Sequence, residues 1–149
     1  MEKIIIRNPY DNEYEAWAKI YQVYLDFYQT SLTSDELQKV WSWLFEPSQE
    51  LLCYFGEIDK KIVGLAHFRR FIRPIKACSS VFLDDLFVLP EFRGHKIGYR
   101  LIEAVKLYAK ENNLPLVRWV TAHDNKQAMN LYDTVANKTT WVTYDAKIE

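Results

Sequence analysis

The pattern of apolar and polar positions predicts two helices after a short first strand. The run KIIIR is an apolar strand that ends at Asn8-Pro9. Apolar residues then recur every three or four positions, which is typical of helices with one buried face. The pattern Thr33-Ser34-Asp35-Glu36 predicts a capped start for the second helix, and Pro47 ends it. The predicted buried positions are Tyr14, Trp17, Ala18, Tyr21, Leu25 and Tyr28 in the first helix and Leu37, Val40, Trp41 and Leu44 in the second.

Runs rich in β-branched and aromatic residues predict strands in the rest of the chain, interrupted by two more helices. The segment ELLCYFGEIDKKIVGLAHFRRF is typical of a hairpin, and CSSVFLDDLFVLP is a further strand. A third helix begins near Lys96, because Ile97, Leu101, Val105 and Tyr108 lie on one face. The last predicted elements are a strand over residues 114–122, a helix over 125–135 and a closing strand, KTTWVTYDAKI.

The resulting order, β-α-α-β-β-β-α-β-α-β, indicates one α/β (α+β) domain over residues 1–149. The strand-helix-strand units near the end imply a parallel pair of strands inside an otherwise antiparallel, mixed sheet. A chain of 149 residues suits a single hydrophobic core. No linker or repeat marks a boundary between domains.

Charge and cysteine content narrow the classes of partner. The net charge is −1, so we expect neither nucleic acid nor a membrane surface as a partner. Cys53 and Cys78 lack the spacing of a disulfide framework or a metal site, and we expect no metal. No window approaches the roughly 20 apolar residues that cross a bilayer. The apolar run at the start is only three residues long, so we expect no signal peptide. The expected location is therefore cytoplasmic.

The segment LFVLPEFRGHKIGY places two of the four glycines in one turn between a strand and a helix. The first N–H groups of a helix have no internal partner, and the helix dipole favours negative charge there. Gly94 permits close backbone approach, while Arg93, Lys96 and Arg100 add positive charge. These features predict a site for a phosphate or pyrophosphate. The spacing fits neither a Walker loop nor a dinucleotide fingerprint. The alternative is a plain turn before a helix.

The segment NKQAMNLYD opens the next helix. Asn125 and Tyr132 are two helical turns apart and project from about the same side, with the small Ala128 between them. The amide of Asn125, the space left by the small Ala128 and the phenol of Tyr132 would then lie in a row, which suits a long, thin ligand. The alternative is that Asn125 is only a cap and Tyr132 only a core aromatic.

Together these two segments resemble the GCN5-related N-acetyltransferase (GNAT) family. RGHKIG is similar to the family's pyrophosphate loop, Arg/Gln-x-x-Gly/Ala-x-Gly/Ala, with Arg93 first and Gly98 last. NKQAMNLYD is similar to the Asn-x-x-Ala-x-x-x-Tyr of the following helix. The nearest branch is that of the polyamine and thialysine acetyltransferases. The chain departs from the family at Lys96, where glycine or alanine is usual. We expect a lysine to fit a first helical turn without strain, with its ammonium available to a phosphate.

The resemblance implies an enzyme whose co-substrate is acetyl-CoA. It implies that the main chain of Leu86, Phe87 and Val88 pairs with the pantetheine arm. It also implies that Asn125 and Ala128 hold the same arm and that Tyr132 is the general acid. The residues around the pyrophosphate are then Arg93, Gly94, His95, Lys96, Ile97, Gly98 and Tyr99.

The chemistry of acetyl transfer agrees with those residue types. A lysine-like amine has a pKa of roughly 10.4 and must lose a proton before it attacks. We expect Asp84 to be the base, because a half-buried strand raises the pKa of a carboxyl. Strand alternation is expected to put Asp84 and Asp85 on opposite faces. The alternatives are that both aspartates are ion-paired or solvated at a bulge, or that a water chain or His123 relays the proton. His67 has no predicted role.

The expected function is N-acetylation of a small primary amine, either a polyamine or an amino-acid derivative. The predicted acceptor residues are Tyr24, Phe27, Tyr28 and Asp85, although such an aromatic stripe is also common in cores. Two other functions remain open: acetylation of a protein N-terminus or lysine, and sensing of acyl-CoA without catalysis. A homodimer is a further expectation, with Trp141 and Tyr144 on an exposed edge strand.

Overall fold

A five-stranded mixed sheet organises the chain in the computed structural model, which describes residues 3–48 and 51–149. The strands lie in sequence order, and every neighbouring pair is antiparallel except the last, which is parallel. This confirms the predicted fold class. In chain order the elements are β1 (Ile4–Arg7), α1 (Tyr14–Phe27), α2 (Ser34–Trp43), β2 (Leu51–Ile58), β3 (Lys61–Arg73), β4 (Cys78–Val88), α3 (Ile97–Glu111), β5 (Val117–Arg118) and α4 (Lys126–Val135). Glu50, the first residue of the predicted hairpin, lies outside the described residues.

Two hydrophobic clusters hold the helices against the sheet. One joins α1 and α2 to β2, β3 and β4 and is centred on Trp17, which is fully buried. The other joins α3 to the same strands through Ile97, Leu101 and Val105. The capping pattern at Thr33 is present, since its hydroxyl accepts from the N–H of Glu36 at 3.1 Å while the Glu36 carboxylate accepts from the N–H of Thr33 at 2.8 Å. The first three helices thus bury most of the faces that their periodicity predicted. Tyr28, predicted as buried, is instead 46% exposed, because it lies at the C-cap of α1 rather than on its buried face.

A β-bulge interrupts β4 at Asp84. His67 of β3 pairs with Asp85, and the next residue, Phe68, pairs with Leu83, so Asp84 is an extra residue on β4. The expectation that Asp84 and Asp85 lie on opposite faces is wrong, because both line the same cavity. An inserted residue breaks the two-residue period of a strand.

The predicted closing strand is also wrong. Residues 136–149 form neither helix nor strand, and the predicted strand over residues 114–122 shortens to Val117–Arg118. A strand needs a neighbouring strand to hydrogen-bond its N–H and C=O groups. Because β5 has only two residues, it offers too short an edge for the closing segment to pair with. The large apolar side chains of the closing segment, Trp141, Val142, Tyr144 and Ile148, are between 74% and 92% exposed.

Within the described residues, no helix has the length and apolar character needed to cross a membrane.

Candidate active site

A cavity of about 370 Å³ lies where the end of β4, the start of α3 and helix α4 come together. Eleven of the twelve residues predicted for the co-substrate line it, as does Tyr132; His95 is not among the lining residues. The structure also places Phe27 and Tyr28 here, although they were predicted for the acceptor. We call this space the α3 cavity. Its lining residues are Phe27, Tyr28, Leu86, Phe87, Val88, Phe92, Arg93, Gly94, Lys96, Ile97, Gly98, Tyr99, Asn125, Gln127, Ala128, Leu131 and Tyr132.

The N-terminus of α3 faces the α3 cavity with N–H groups that have no acceptor inside the helix. The first hydrogen bond of the helix runs from the Arg100 N–H to the Lys96 carbonyl, at 3.0 Å. The N–H groups of Ile97, Gly98 and Tyr99 therefore lie in a first turn that offers them no helical acceptor. A helix of 15 residues adds the positive end of its dipole. This turn suits an anion.

Two residues of the preceding loop have left-handed backbone. Gly94 has φ of +88°, and a Cβ there would meet nothing within 4 Å, so only the backbone angle calls for glycine. Lys96 has φ of 64° and ψ of 21° at the N-cap of α3. The expectation that lysine fits without strain is therefore wrong, because left-handed backbone brings Cβ against the following carbonyl.

Gly98 has a packing role. A Cβ at this position would lie 3.3 Å from Leu131 Cδ2 and 3.8 Å from Val88 Cγ2. The missing side chain lets α3 approach α4 and the end of β4 closely, which closes one wall of the α3 cavity.

Tyr132 of α4 presents a phenol to the α3 cavity. Its ring packs edge-on against Trp119, with centroids 5.4 Å apart and planes at 69°. Burial, with a smaller contribution from the neighbouring Tyr28, raises the pKa of Tyr132 to about 12. The phenol therefore keeps its proton at neutral pH and can donate it. Asn125, at the N-cap of the same helix, donates from Nδ2 to Thr121 Oγ1 at 3.3 Å.

A second cavity, of about 540 Å³, lies on the other side of the bulge, between β3, β4 and helices α1 and α2. It contains both aspartates of β4 together with cationic and aromatic side chains. We call it the bulge cavity. Its lining residues are Tyr21, Val40, Trp43, Ser48, Leu51, His67, Arg69, Arg70, Asp84 and Asp85.

Asp84 is the more basic of the two carboxylates. Arg69 Nε lies 3.1 Å and 3.0 Å from its two oxygens. Burial nevertheless raises the pKa of the Asp84 carboxyl above its usual range, because it outweighs the opposing effect of Arg69. A carboxylate with a raised pKa is a better proton acceptor.

Asp85 is held by three donors. His67 Nδ1 and the Tyr21 hydroxyl contact Oδ2 at 2.8 Å and 3.0 Å, and the Tyr24 hydroxyl contacts Oδ1 at 2.9 Å. Burial alone would raise the pKa of Asp85, but these hydrogen bonds, with His67 the strongest, hold it below the usual range. Burial and the adjacent carboxylate raise the pKa values of Tyr21 and Tyr24, so both phenols remain donors.

The two cavities are lined by consecutive residues of β4. Asp85 lines the bulge cavity and the next residue, Leu86, lines the α3 cavity, and neighbouring Cα atoms are about 3.8 Å apart. Cys53 offers no covalent route at this point, because burial raises the pKa of its thiol and keeps it protonated. The arrangement can bring two substrates together from opposite sides of one strand.

The model of the Acetyltransferase (GNAT) family matches residues 17–135, which include both cavities. The chain belongs to the GNAT acetyltransferase family. It is therefore an acyltransferase of the N-acetyltransferase type, and the predicted family is confirmed.

Named relatives of this GNAT acetyltransferase are also N-acetyltransferases. A D-amino-acid N-acetyltransferase of Saccharomyces cerevisiae is 29% identical over 145 residues, covering 96% of this chain and 90% of the relative. The thialysine N-epsilon-acetyltransferase of Bos taurus is 36% identical over 53 residues, covering 36% of this chain and 31% of the relative. An aminoglycoside N-acetyltransferase solved with CoA has the same fold, with a TM-score of 0.85, 18% identity, and coverage of 99% of this chain and 96% of that chain.

The cations near the α3 turn of this GNAT acetyltransferase differ in what they contact. Arg100 Nη1 donates to the Ile4 carbonyl at 3.1 Å, which ties α3 to β1. Arg93 Nε donates to the Val88 carbonyl at 3.3 Å, and its guanidinium lies 5.7 Å from the Phe87 ring centroid. Arg93 and Lys96 line the α3 cavity, whereas Arg100 does not.

Lys96→Gly tests which part of the turn binds the anion. We expect acetyl-CoA affinity to stay within about threefold, because the backbone N–H groups remain and dominate such sites. Left-handed backbone at a residue with a side chain destabilises the folded state by roughly 1–2 kcal/mol, and glycine removes this strain. Glycine also loses more conformational entropy on folding, which cancels roughly 0.5–1 kcal/mol of that gain. The free energy of unfolding should therefore stay level or rise slightly. Calorimetric titration and urea denaturation measure both quantities. A large loss of affinity would make the ammonium itself a ligand.

Of the polar residues of the bulge cavity, the sequence predicted only Asp84 and Asp85 as site residues and missed His67, Tyr21 and Arg69 among others. Tyr21 was assigned to the core by its helical spacing from Trp17, and His67 was given no role. Trp17, Tyr21 and Tyr24 do share one face of α1 through i, i+4 and i, i+3 spacing. That spacing predicts that the three side chains lie on the same face of α1, but it does not predict that this face contacts the Asp85 carboxylate.

Proposed function

We propose that this chain transfers the acetyl group of acetyl-CoA to the primary amine of a small molecule. The observation that carries the proposal is that consecutive residues of β4, Asp85 and Leu86, line two different cavities. One contains a protonated phenol beside a helix N-terminus, and the other contains a basic carboxylate. Each cavity offers the group that one of the two substrates needs.

The α3 cavity suits the co-substrate. The N–H groups of Ile97, Gly98 and Tyr99 would receive the pyrophosphate, and the main chain of Leu86 to Val88 would pair with the pantetheine arm. Asn125 would donate to the same arm, with Ala128 leaving room for it. The thioester would then lie near Tyr132.

The bulge cavity suits the amine. Asp84 would remove a proton from the incoming ammonium, and the amine nitrogen would then bond to the acetyl carbon as the carbon–sulfur bond breaks. Tyr132 would donate a proton to the departing thiolate, whose pKa is near the roughly 8.5 of a free thiol. The nitrogen loses its second proton to solvent as the amide forms, and the proton taken by Asp84 returns to the phenol through solvent. The ammonium and acetyl-CoA thus give the amide, the CoA thiol and one released proton.

We favour an amino acid or amino-acid derivative as the acceptor. Arg69 contacts Asp84 through Nε only, and its terminal nitrogens have no hydrogen-bond partner among the described residues. A guanidinium edge of this kind matches a carboxylate. Asp84 beside it matches an ammonium, so the pair suits a zwitterion. The yeast relative is named as a D-amino-acid N-acetyltransferase.

A panel of amines tests the proposal, with release of the CoA thiol as the readout. The panel contains D- and L-amino acids, thialysine, a polyamine and a peptide with a free N-terminus. We expect release with at least one amino acid and little with the peptide. Release with the peptide alone would favour a protein acetyltransferase. If CoA raises the melting temperature but no amine causes thiol release, the chain is a sensor and the proposal is wrong.

A second copy of the chain is the proposed partner of the closing segment. Trp141, Val142, Tyr144 and Ile148 are all exposed within eight residues of chain, and soluble monomers rarely expose large apolar patches. Light scattering should give a mass twice that of one chain, and Trp141→Ser with Tyr144→Ser should return it to the monomer. A monomeric wild-type chain at 100 µM, about a hundredfold above a micromolar dissociation constant, would contradict the dimer.

A further inference from the structure

A buried chain of hydrogen bonds runs from α1 through β3 to the bulge of β4. The indole nitrogen of Trp17, Nε1, lies 2.9 Å from His67 Nε2, and His67 Nδ1 lies 2.8 Å from Asp85 Oδ2. Trp17 is fully buried and His67 is 1% exposed. Neither residue belongs to RGHKIG or NKQAMNLYD, the two segments that carry the family resemblance. No step proposed above uses either residue.

Trp17 fixes the tautomer of His67. An indole N–H can only donate, so the Nε2 atom that faces it must accept. In the neutral imidazole the proton then lies on Nδ1 and is donated to Asp85. Trp17 itself is locked by packing, with ring centroids 5.4 Å from Trp41 and 5.2 Å from Tyr21. The orientation of the donor at Nδ1 is thus set by the core of the protein.

Within residues 3–48 and 51–149, the hydrogen bonds to Asp85 leave one of its acceptor sites unused. A carboxylate offers about four lone-pair sites, two on each oxygen. His67 and Tyr21 occupy both sites of Oδ2, and Tyr24 occupies one site of Oδ1. The side chain is 20% exposed and lines the bulge cavity. The remaining site therefore belongs to Oδ1.

We infer that the acceptor amine donates an N–H to Asp85 Oδ1 and that His67, held by Trp17, is the positioning residue for this contact. The inference rests on the proposed function and divides the work of the two aspartates. Asp84, which Arg69 contacts, removes the proton. Asp85, which three hydrogen bonds hold in place, binds the amine nitrogen and directs it towards the thioester. The thioester is proposed to lie beside Leu86 in the α3 cavity.

Two substitutions of His67 separate its two hydrogen bonds. In His67→Asn the amide nitrogen is as many bonds from the backbone as Nδ1 and can still donate to Asp85. In His67→Gln the amide oxygen can reach the position of Nε2 and accept from Trp17, but no donor faces Asp85. Both variants remove the ring and lose similar packing, so each is the matched control of the other.

We expect His67→Gln to raise KM for the best amine of the panel about tenfold. The reason is that the Asp85 carboxylate loses its hydrogen bond from position 67, and hydrogen bonds to charged groups are the stronger ones. The kcat and the KM for acetyl-CoA should change less than twofold, since the contact is made before and during the reaction. His67→Asn should keep the amine KM within about threefold of the wild type. Circular dichroism and thermal unfolding establish that both variants are folded.

Equal amine KM values for the two variants would overturn the inference, as would a parallel loss of acetyl-CoA binding. If His67→Gln does not fold, Tyr21→Phe replaces it, because this change removes the other donor to Oδ2 while keeping the ring. It should raise the amine KM several-fold with acetyl-CoA KM unchanged, and an unchanged amine KM would overturn the inference. Failure of the proposed function looks different, because the wild-type enzyme would then release no CoA with any amine.

Discussion

Replacing Tyr132 with phenylalanine should lower kcat by about a hundredfold or more, which is the usual contribution of a positioned general acid. The phenol lies in the α3 cavity, and burial raises its pKa to about 12. It is therefore fully protonated at neutral pH and ready to donate to a thiolate. Steady-state kinetics with thiol release as the readout measure the effect.

The KM for acetyl-CoA should stay within about twofold in Tyr132→Phe, because the ring still packs against Trp119 and only the hydroxyl is lost. Tyr54→Phe is the matched control. Tyr54 is a tyrosine of β2 that packs on Phe68 and lines neither cavity, so its substitution should leave kcat unchanged. A Tyr132→Phe enzyme with wild-type kcat would remove the phenol from the reaction and leave the thiolate to depart unaided.

Replacing Asp84 with asparagine should lower kcat/KM by about a hundredfold and change its pH dependence. The carboxylate is the active form of a base, so wild-type kcat/KM rises as pH rises through the pKa of Asp84. Burial places that rise above the ordinary range of an aspartate. Asp84→Asn cannot titrate, so this limb should disappear. Only the rise in kcat/KM that comes from deprotonation of the amine substrate, at higher pH, should remain.

Arg69→Gln gives the complementary result. Arg69 lowers the pKa of Asp84 against the larger effect of burial, so its removal should move the acidic limb to higher pH. An asparagine variant with wild-type rate and an unchanged limb would exclude Asp84 as the base. An acidic limb that stays in place in Arg69→Gln would show that another group titrates there.

The segments with local sequence signals were predictable. A turn with Gly94 and Gly98 after an apolar strand, followed by a helix with one apolar face, is determined by neighbours in sequence. The spacing of Asn125, Ala128 and Tyr132 belongs to a single helix. These residues line one cavity in the folded chain, because the parallel β4–β5 pair brings the starts of α3 and α4 together.

Features that depend on pairing with distant residues were not predictable. The bulge at Asp84 arises from the register between β3 and β4, and no local pattern reports that register. His67 meets Asp85 for the same reason, across 18 residues of chain. The closing segment, with Trp141 and Tyr144, has strand-like composition, but a strand forms only where a partner edge exists.

Lys96 shows how a local prediction can identify a site and miss its geometry. The family pattern places glycine or alanine at this position, and the left-handed backbone of Lys96 explains why a glycine suits it. The donors of the α3 turn are unaffected by the side chain. The strain is local, while the anion site belongs to the backbone.

A crystal structure with CoA and the best amine of the panel tests the central claim most directly, namely that two substrates meet across β4. We expect the pyrophosphate within about 3.2 Å of the N–H groups at the start of α3, the sulfur beside Tyr132, and the amine nitrogen in the bulge cavity between Asp84 and Asp85. An amine bound away from both aspartates, or a CoA sulfur remote from Tyr132, would contradict the account.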